Sequence, residues 1–289
     1  MAEERHRLGL NPAEVIGVLE KAFFRSFGLK DETAFYFRLG TEVPGLTFQF
    51  HYLPRSPRDE TAPSRWQEQQ EDASRNGLRL VHIWEDQWKR QRQIVLPRLG
   101  SMLGQSLRIH GRETLAGKVD AATARRFFGE NHLLVPLSGR HRFGLFYKQE
   151  LVSLAAFSGA RIMKSKSPAY RSFELLRFCH AGSRLVVGGL SKLLAAFAET
   201  FHPEDIMTYI DLDWSEGGAF LNTGFLPSGK TPPQVFWINP EEGIRYYPGR
   251  LPAGLGEAAP EQLQEAGYFR IYNCGSLKLL KQFGAEKER

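Results

Sequence analysis

Several short stretches carry residue types that can do chemistry. In VVGGLSKLLAAF (186–197), Gly188 and Gly189 stand where an apolar, strand-like run gives way to a helical one. Glycine lets the backbone approach a ligand closely, and a new helix presents unpaired N–H groups to an anion. Ser191 adds a hydroxyl and Lys192 a charge, so a pyrophosphate fits this pattern; a plain strand-to-helix turn fits it too. In TYIDLDWS (208–215), Tyr209 and the pair Asp211 and Asp213 stand at the end of a predicted strand. Open α/β sheets place ligands at strand ends. Asp211 could position or deprotonate an attacking amine. Asp213 reads as the cap of the helix that follows.

Two further stretches join them. His132, in FFGENHLL (127–134), stands near a predicted helix end, as a base, an acid, a substrate contact or a structural imidazole. Asn131 beside it is a natural helix C-terminal residue. In ELLRFCH (174–180), strand alternation puts Leu175, Arg177 and Cys179 on one face and Glu174, Leu176, Phe178 and His180 on the other. An arginine inside an apolar strand needs a phosphate or a carboxylate, because an unpaired buried charge is costly. Cys179 has no His and acid partner in order, which speaks against a thiol nucleophile. In HIWEDQW (82–88), His82, Glu85 and Asp86 are metal-ligand types, but the preceding TFQFHYL supplies no further acid. Glu85 and Asp86 suit a helix N-terminus better than a metal site. KRQRQ (89–93) and Arg98 could line DNA phosphates or form a solvated helix face.

The elements that must position these residues follow from periodicity. Asn11 and Pro12 open a helix running to about Gly28. Strands are expected at 34–39 and 46–52, a loop at 54–65, a polar helix at 64–76 and a buried strand at 78–84. A helix then runs from Glu85 to about Met102. From 108 onward the order is β, α, β, β, β, α, β, α, β. Asp120 caps the first helix, Gln149-Glu150 turns a hairpin, and QVFWINP is the closing strand. The expected domains are 1–107, 108–240 and a C-terminal extension, 241–289.

Composition bounds the rest. The chain of 289 residues has 42% hydrophobic and 24% charged residues, a globular mix that excludes wholesale disorder. No apolar run is long enough for a membrane span, and MAEERHRLGL lacks the apolar core of a secretion signal, so a cytoplasmic protein is expected. Two cysteines cannot make a disulfide framework or a four-thiolate zinc site. Thirty-eight Lys and Arg against 32 Asp and Glu leave +6, which suits an anionic partner.

The order NHLL, RFGLFYKQELVSLAAFSG, FELLRFC, GGLSKLL and MTYIDLDWSEGGAFLNTGF resembles the GNAT-like acyltransferase domain of phage DNA-modification proteins of the Mom type. The resemblance implies an α/β (α+β) fold with a splayed, mixed sheet that binds acetyl-CoA or another acyl-CoA in its cleft. It implies a DNA base as substrate. Residue by residue it points to His132, Tyr209 and Asp211 as catalytic, and to Gly188, Gly189, Ser191 and Arg177 as cofactor-binding. The usual pyrophosphate loop has a Gln or Arg leading a Gly-x-Gly run; here it reads VVGGLS. The stretch GLRLVHIWEDQWKRQRQIVLPRLGSMLG (77–104) resembles the C-terminal part of Vsr-like nuclease domains in phage proteins of the homing-endonuclease-like kind. Those chains continue into the same GNAT-like region and end in a segment like GYFRIYNCGSLK. The acidic pattern expected upstream is absent from 30–70, which implies a smaller, degenerate Vsr/restriction-endonuclease-like α/β domain that holds DNA. The rival expectation is a nuclease or DNA-binding protein that keeps the GNAT-like part as a non-catalytic scaffold.

Overall fold

The computed structural model describes residues 9–283. The chain is an α/β protein with mixed sheets, and it divides into two compact units. One unit gathers the chain up to Arg92 with Asp211–Ser215 and Thr231–Ser276; the other gathers Gln93–Ile210, Glu216–Lys230 and the chain from Leu277. Each unit is therefore discontinuous, whereas a single boundary near 108 and a separate tail after 240 were expected.

The first unit opens with helix α1 (Pro12–Phe23). The Asn11 side chain accepts from the N–H groups of Ala13 and Glu14, and the helix ends at Phe24 in the left-handed region, short of Gly28. Strands β1 (Gly28–Glu32), β2 (Tyr36–Gly40) and β3 (Leu46–His51) form an antiparallel meander. Helix α2 (Arg65–Arg75) then crosses over to β4 (Arg79–Trp84), which runs parallel to β3. The long helix expected after Trp84 is broken at Gln91 into α3 (Glu85–Arg90) and α4 (Arg92–Met102).

The second unit holds β5 (Leu107–His110), β6 (Leu115–Lys118), α5 (Ala121–Asn131), β7 (His141–Tyr147), β8 (Glu150–Phe157), β9 (Arg161–Ile162), β10 (Arg171–His180) and β11 (Arg184–Val187). It continues through α6 (Gly189–Phe201), β12 (Asp205–Asp211), α7 (Gly218–Leu221) and β13 (Leu226–Lys230). Asp120 caps α5 as expected, accepting from Ala122 and Thr123. The β7–β8 turn falls one residue early, at Lys148 and Gln149, whose φ values of 49° and 68° suit the tight turn of a twisted hairpin. Strands β14 (Val235–Asn239) and β15 (Ile244–Tyr246), helix α8 (Pro260–Glu265) and strand β16 (Phe269–Tyr272) belong to the first unit, with sheet order β15-β14-β16. The last strand among the described residues is β17 (Ser276–Gln282).

The main sheet has the order β13-β17-β12-β10-β8-β7-β6. QVFWINP therefore does not close it. That place is taken by β17, which pairs antiparallel with β13 and buries Leu279 completely. One face of the sheet packs on α6 through Phe143, Leu145, Phe157, Phe173, Leu175, Ile206, Ile210, Leu193 and Phe197. The other packs on α5 through Leu154, Ala156, Cys179, Ala124, Phe127 and Phe128. Phe157 and Phe197 stack with centroids 3.8 Å apart, which pins α6 to the sheet.

Candidate functional site

β10 and β12 are parallel neighbours only at their starts. Ser172, Phe173 and Glu174 pair with Asp205, Ile206 and Met207, and the Thr208 hydroxyl donates to the Leu175 carbonyl at 2.9 Å. Beyond that point no ladder joins them, although β10 stays paired with β8 as far as His180 opposite Ser153. The sheet splays, as the family resemblance implies. Where the strands part, the β8 ladder skips a residue: Leu175 stands opposite Phe157 and Arg177 opposite Ala156, so Leu176 bulges. Past the bulge, the Cys179 carbonyl accepts from Ser153 Oγ at 3.2 Å and Ala181 N–H donates to the Val152 carbonyl at 3.0 Å. Backbone alternation then turns the peptide groups of Phe178 and His180 toward the parted edge.

At the same end of β10, a short turn leads through β11 to α6. Gly188 is the N-cap at φ 75°, with no side-chain cap, so the first-turn N–H groups of Gly189, Leu190 and Ser191 have no partner within the helix. Gly189 is buried against Val186 and Leu145; a Cβ there would stand 3.0 Å from Val186 Cβ. Ser191 is exposed. Lys192 is not available as the charge of the pattern. Its Nζ donates to the carbonyl of Gly111 at 2.9 Å and to that of Thr114, tying the turn after β5 to the helix start.

The bulge overturns the strict alternation expected along ELLRFCH. Leu175 faces α6, whereas Cys179 joins the α5 face and Phe178 packs on the α6 side. Arg177, two residues before Cys179, shares the α5 face. It therefore lies across the sheet from Gly188, Gly189 and Ser191 and is not placed to share a phosphate with them. Its guanidinium donates to the Leu176 carbonyl at 2.7 Å and to the Val135 carbonyl at 3.4 Å, holding the bulge and the chain after α5. Tyr209 is 42% exposed, and alternation against buried Ile206 and Ile210 puts it and Asp211 on the face away from α6. The Asp211 carboxylate accepts from the N–H of Asp213 at 3.1 Å.

His132 terminates α5 on that face. Its Nδ1 accepts from Leu134 N–H at 3.1 Å. Burial, aided by the charges of Arg98 and Arg177, lowers its pKa to about 3. The ring is thus neutral, with the proton on Nε2, and is a donor rather than a base. Asn131 secures the next turn, accepting from Gly182 N–H at 2.7 Å. Cys179 is buried and its thiol is pushed up to about 12, which removes it as a nucleophile.

In the first unit the metal-ligand types are otherwise engaged. Glu85 is buried, accepting from Leu53 N–H at 3.0 Å and pairing with Arg55 and Lys89, each at 2.8 Å. Asp86 makes a two-pronged pair with Arg245, at 2.5 and 2.8 Å. His82 Nδ1 lies 2.8 Å from His51 Nε2, and its Nε2 lies 3.1 Å from Gln70 Oε1; burial and Arg38 lower its pKa to about 3. Among the described residues no group of three or more His, Cys, Asp or Glu could hold a metal ion. Asp213 does not cap α7, whose N-cap is Gly217. It is buried instead, accepting from Cys274 N–H at 2.7 Å and from the Trp84 indole at 3.3 Å. Burial, then the Asp211 charge, raises its carboxyl to about 7. The KRQRQ charges are partly spent: Lys89 on Glu85, Arg90 on the Glu242 carbonyl at 2.9 Å, and Arg92 over the Trp88 ring. Among the described residues no helix is long and apolar enough to cross a membrane.

No protein-family model matches the chain, and no curated protein matches it. Solved structures with similarity include acetyltransferases. A GNAT-family acetyltransferase from Elizabethkingia anophelis with acetyl-CoA bound is 12% identical over 59% of this chain and 99% of its own, with a TM-score of 0.34. A possible GNAT-family acetyltransferase from Desulfovibrio desulfuricans is 12% identical over 58% and 98%, at 0.35. Arabidopsis thaliana Naa50, solved with a bisubstrate analogue, is 10% identical over 59% and 99%, at 0.36. These TM-scores are below one half, so the likenesses fix neither activity nor substrate.

Proposed function

We propose that the second unit is a GNAT-like acyltransferase that moves an acyl group from acyl-CoA to an amine on a DNA base. The observation that carries this reading is the parting of β10 from β12 after Leu175, at the end of the sheet where α6 begins. An extended chain bearing amide groups can pair with the edge peptides of Phe178 and His180, and a pyrophosphate can meet the N–H groups of Gly189 to Ser191. The residues present therefore fit acyl-CoA, acetyl-CoA included, without the Gln or Arg of the usual loop. When bound, acyl-CoA supplies the activated acyl group.

The protein's own groups then divide by face. Gly188, Gly189 and Ser191 hold the anionic end from the α6 side. The Phe178 N–H, on the parted edge, is the donor that would stabilise an oxyanion. On the α5 side, Asp211 would take the proton from the amine as the C–N bond forms and the thioester C–S bond breaks, and that proton would leave with CoA as its free thiol. Tyr209 is exposed enough to stack on a base, whereas Trp214 is 2% exposed and is not. His132 orients through Nε2–H, and Arg177 keeps the bulge in place. A base in duplex DNA would have to be flipped out to reach these groups. The DNA target is supported by the Mom-type resemblance and by exposed Arg125 and Arg126 on α5.

The test is transfer of a labelled acetyl group from acetyl-CoA to DNA by the whole protein. Asp211→Asn should fold, bind acetyl-CoA and fail to transfer; retained transfer overturns the role of Asp211. Metal-dependent nicking of plasmid DNA without acyl transfer would support the nuclease rival instead.

A further inference from the structure

Resting on the acyl-CoA reading, we propose that His180 is a further ligand-binding residue of the cleft, its ring Nδ1–H donating to a carbonyl oxygen of the bound acyl-CoA chain. His180 is the last residue of β10, beyond the point where β12 has left. Its side chain shares the α6 side with Phe178, the two rings lying 5.0 Å apart at 79°. Phe178 in turn meets Phe220 edge-on at 6.2 Å, so the imidazole stands against a fixed aromatic wall. The same strand position turns its peptide group to the parted edge, while its side chain stands on the α6 face beside that edge.

His180 Nδ1 is buried and has no hydrogen-bond partner among the described residues. Buried polar atoms in folded proteins are almost always paired, so an unpaired Nδ1 on the last residue of β10, beyond the parting, is a place for a ligand atom that enters between the strands and displaces the packing over the ring. Burial lowers the imidazole to about 4, so the ring is neutral and carries one N–H. A neutral donor suits an uncharged thioester or amide carbonyl better than a phosphate, which the helix start already serves. His132, by contrast, spends its Nδ1 on Leu134. The two imidazoles thus serve different ends of the cleft: His180 the donor molecule, His132 the acceptor.

The experiment uses the full chain with 15N-labelled histidine and backbone amides, titrated with acetyl-CoA. The amides of Gly189, Leu190 and Ser191 report cofactor binding independently of His180. Those amides should shift, and the His180 Nδ1–H signal should move and become protected from exchange. His180→Phe, checked for an unchanged thermal midpoint, should bind acetyl-CoA about tenfold more weakly, while His180→Asn, which keeps an N–H donor, should recover most of the affinity. If the helix-start amides shift while His180 stays unchanged and His180→Phe binds as tightly as wild type, the assignment to His180 is overturned and the acyl-CoA reading stands. If neither set moves at millimolar acetyl-CoA, the acyl-CoA reading fails and the assignment falls with it.

Discussion

Leu175 and Arg177 stand two positions apart on β10 and on opposite faces of the sheet, because Leu176 bulges out of the ladder between Phe157 and Ala156. That single extra residue separates the helix-start glycines from Arg177 and puts His132, Arg177 and Tyr209 on a common face. A cleft through a sheet has two mouths, and the bulge assigns the residues to them.

Arg177→Gln should therefore leave acetyl-CoA affinity within about twofold of wild type, since the arginine faces away from α6, while lowering transfer by about tenfold or more. Calorimetric titration beside a single-turnover assay separates the two. A large loss of acetyl-CoA affinity with transfer otherwise intact would return Arg177 to the cofactor.

Gly189→Leu should weaken acetyl-CoA binding more than DNA binding. The new side chain meets Val186 at 3.0 Å and Leu145 at 3.3 Å and overpacks the helix start, at a cost of about 1–3 kcal/mol in stability. Equal losses of both ligands, with a lost unfolding transition, would mean general misfolding.

His132 should show no titration between about pH 5 and 8, because its pKa is lowered to about 3. The unfolded imidazole binds a proton near its ordinary value of about 6.5. The contribution to stability is thus present above that value and is lost as pH falls toward 3. NMR of the ring carbon protons checks this; a midpoint near 6.5 would make His132 an exposed acid–base group after all.

Asp213 has the opposite sign. Its folded pKa is raised to about 7, so in the window from about 4 to 7 the native state holds a proton that the unfolded state has lost. Its contribution is fully present at low pH and is lost as pH rises through 7. Asp213→Asn should flatten the fall in thermal midpoint between pH 5 and 8, and an unchanged slope would contradict the assignment.

Asp86→Ala should destabilise the fold by about 3–5 kcal/mol, because it leaves the guanidinium of Arg245 buried without its carboxylate. Denaturant unfolding measures it. A fully stable Asp86→Ala that loses a metal-dependent cleavage activity would support the nuclease rival.

Many of the elements are legible in the sequence because their signals are local. Asp120 and Asn11 cap where their side chains can reach the next N–H groups, and β10, β12 and α6 follow hydrophobic period. What was not legible is long-range. A bulge at Leu176 leaves no mark in ELLRFCH, since each residue type remains compatible with plain alternation. The partners of Asp213, Cys274 and Trp84, lie 61 and 129 positions away in the chain, so a nearby helix start is the natural local reading. The closing place in the sheet was assigned to QVFWINP, the more apolar run, although β17 with its lysines fills it. In the sequence His180 is only a polar side chain on the same strand alternation as Phe178.

The central claim is that the parted strands β10 and β12 hold acyl-CoA. Thermal unfolding of the whole protein with and without acetyl-CoA tests it most directly. Saturable stabilisation is expected, about 2.7 kcal/mol when the ligand is a hundredfold above its Kd, and it should shrink in Gly189→Leu. An unfolding midpoint that does not move at millimolar acetyl-CoA would contradict it.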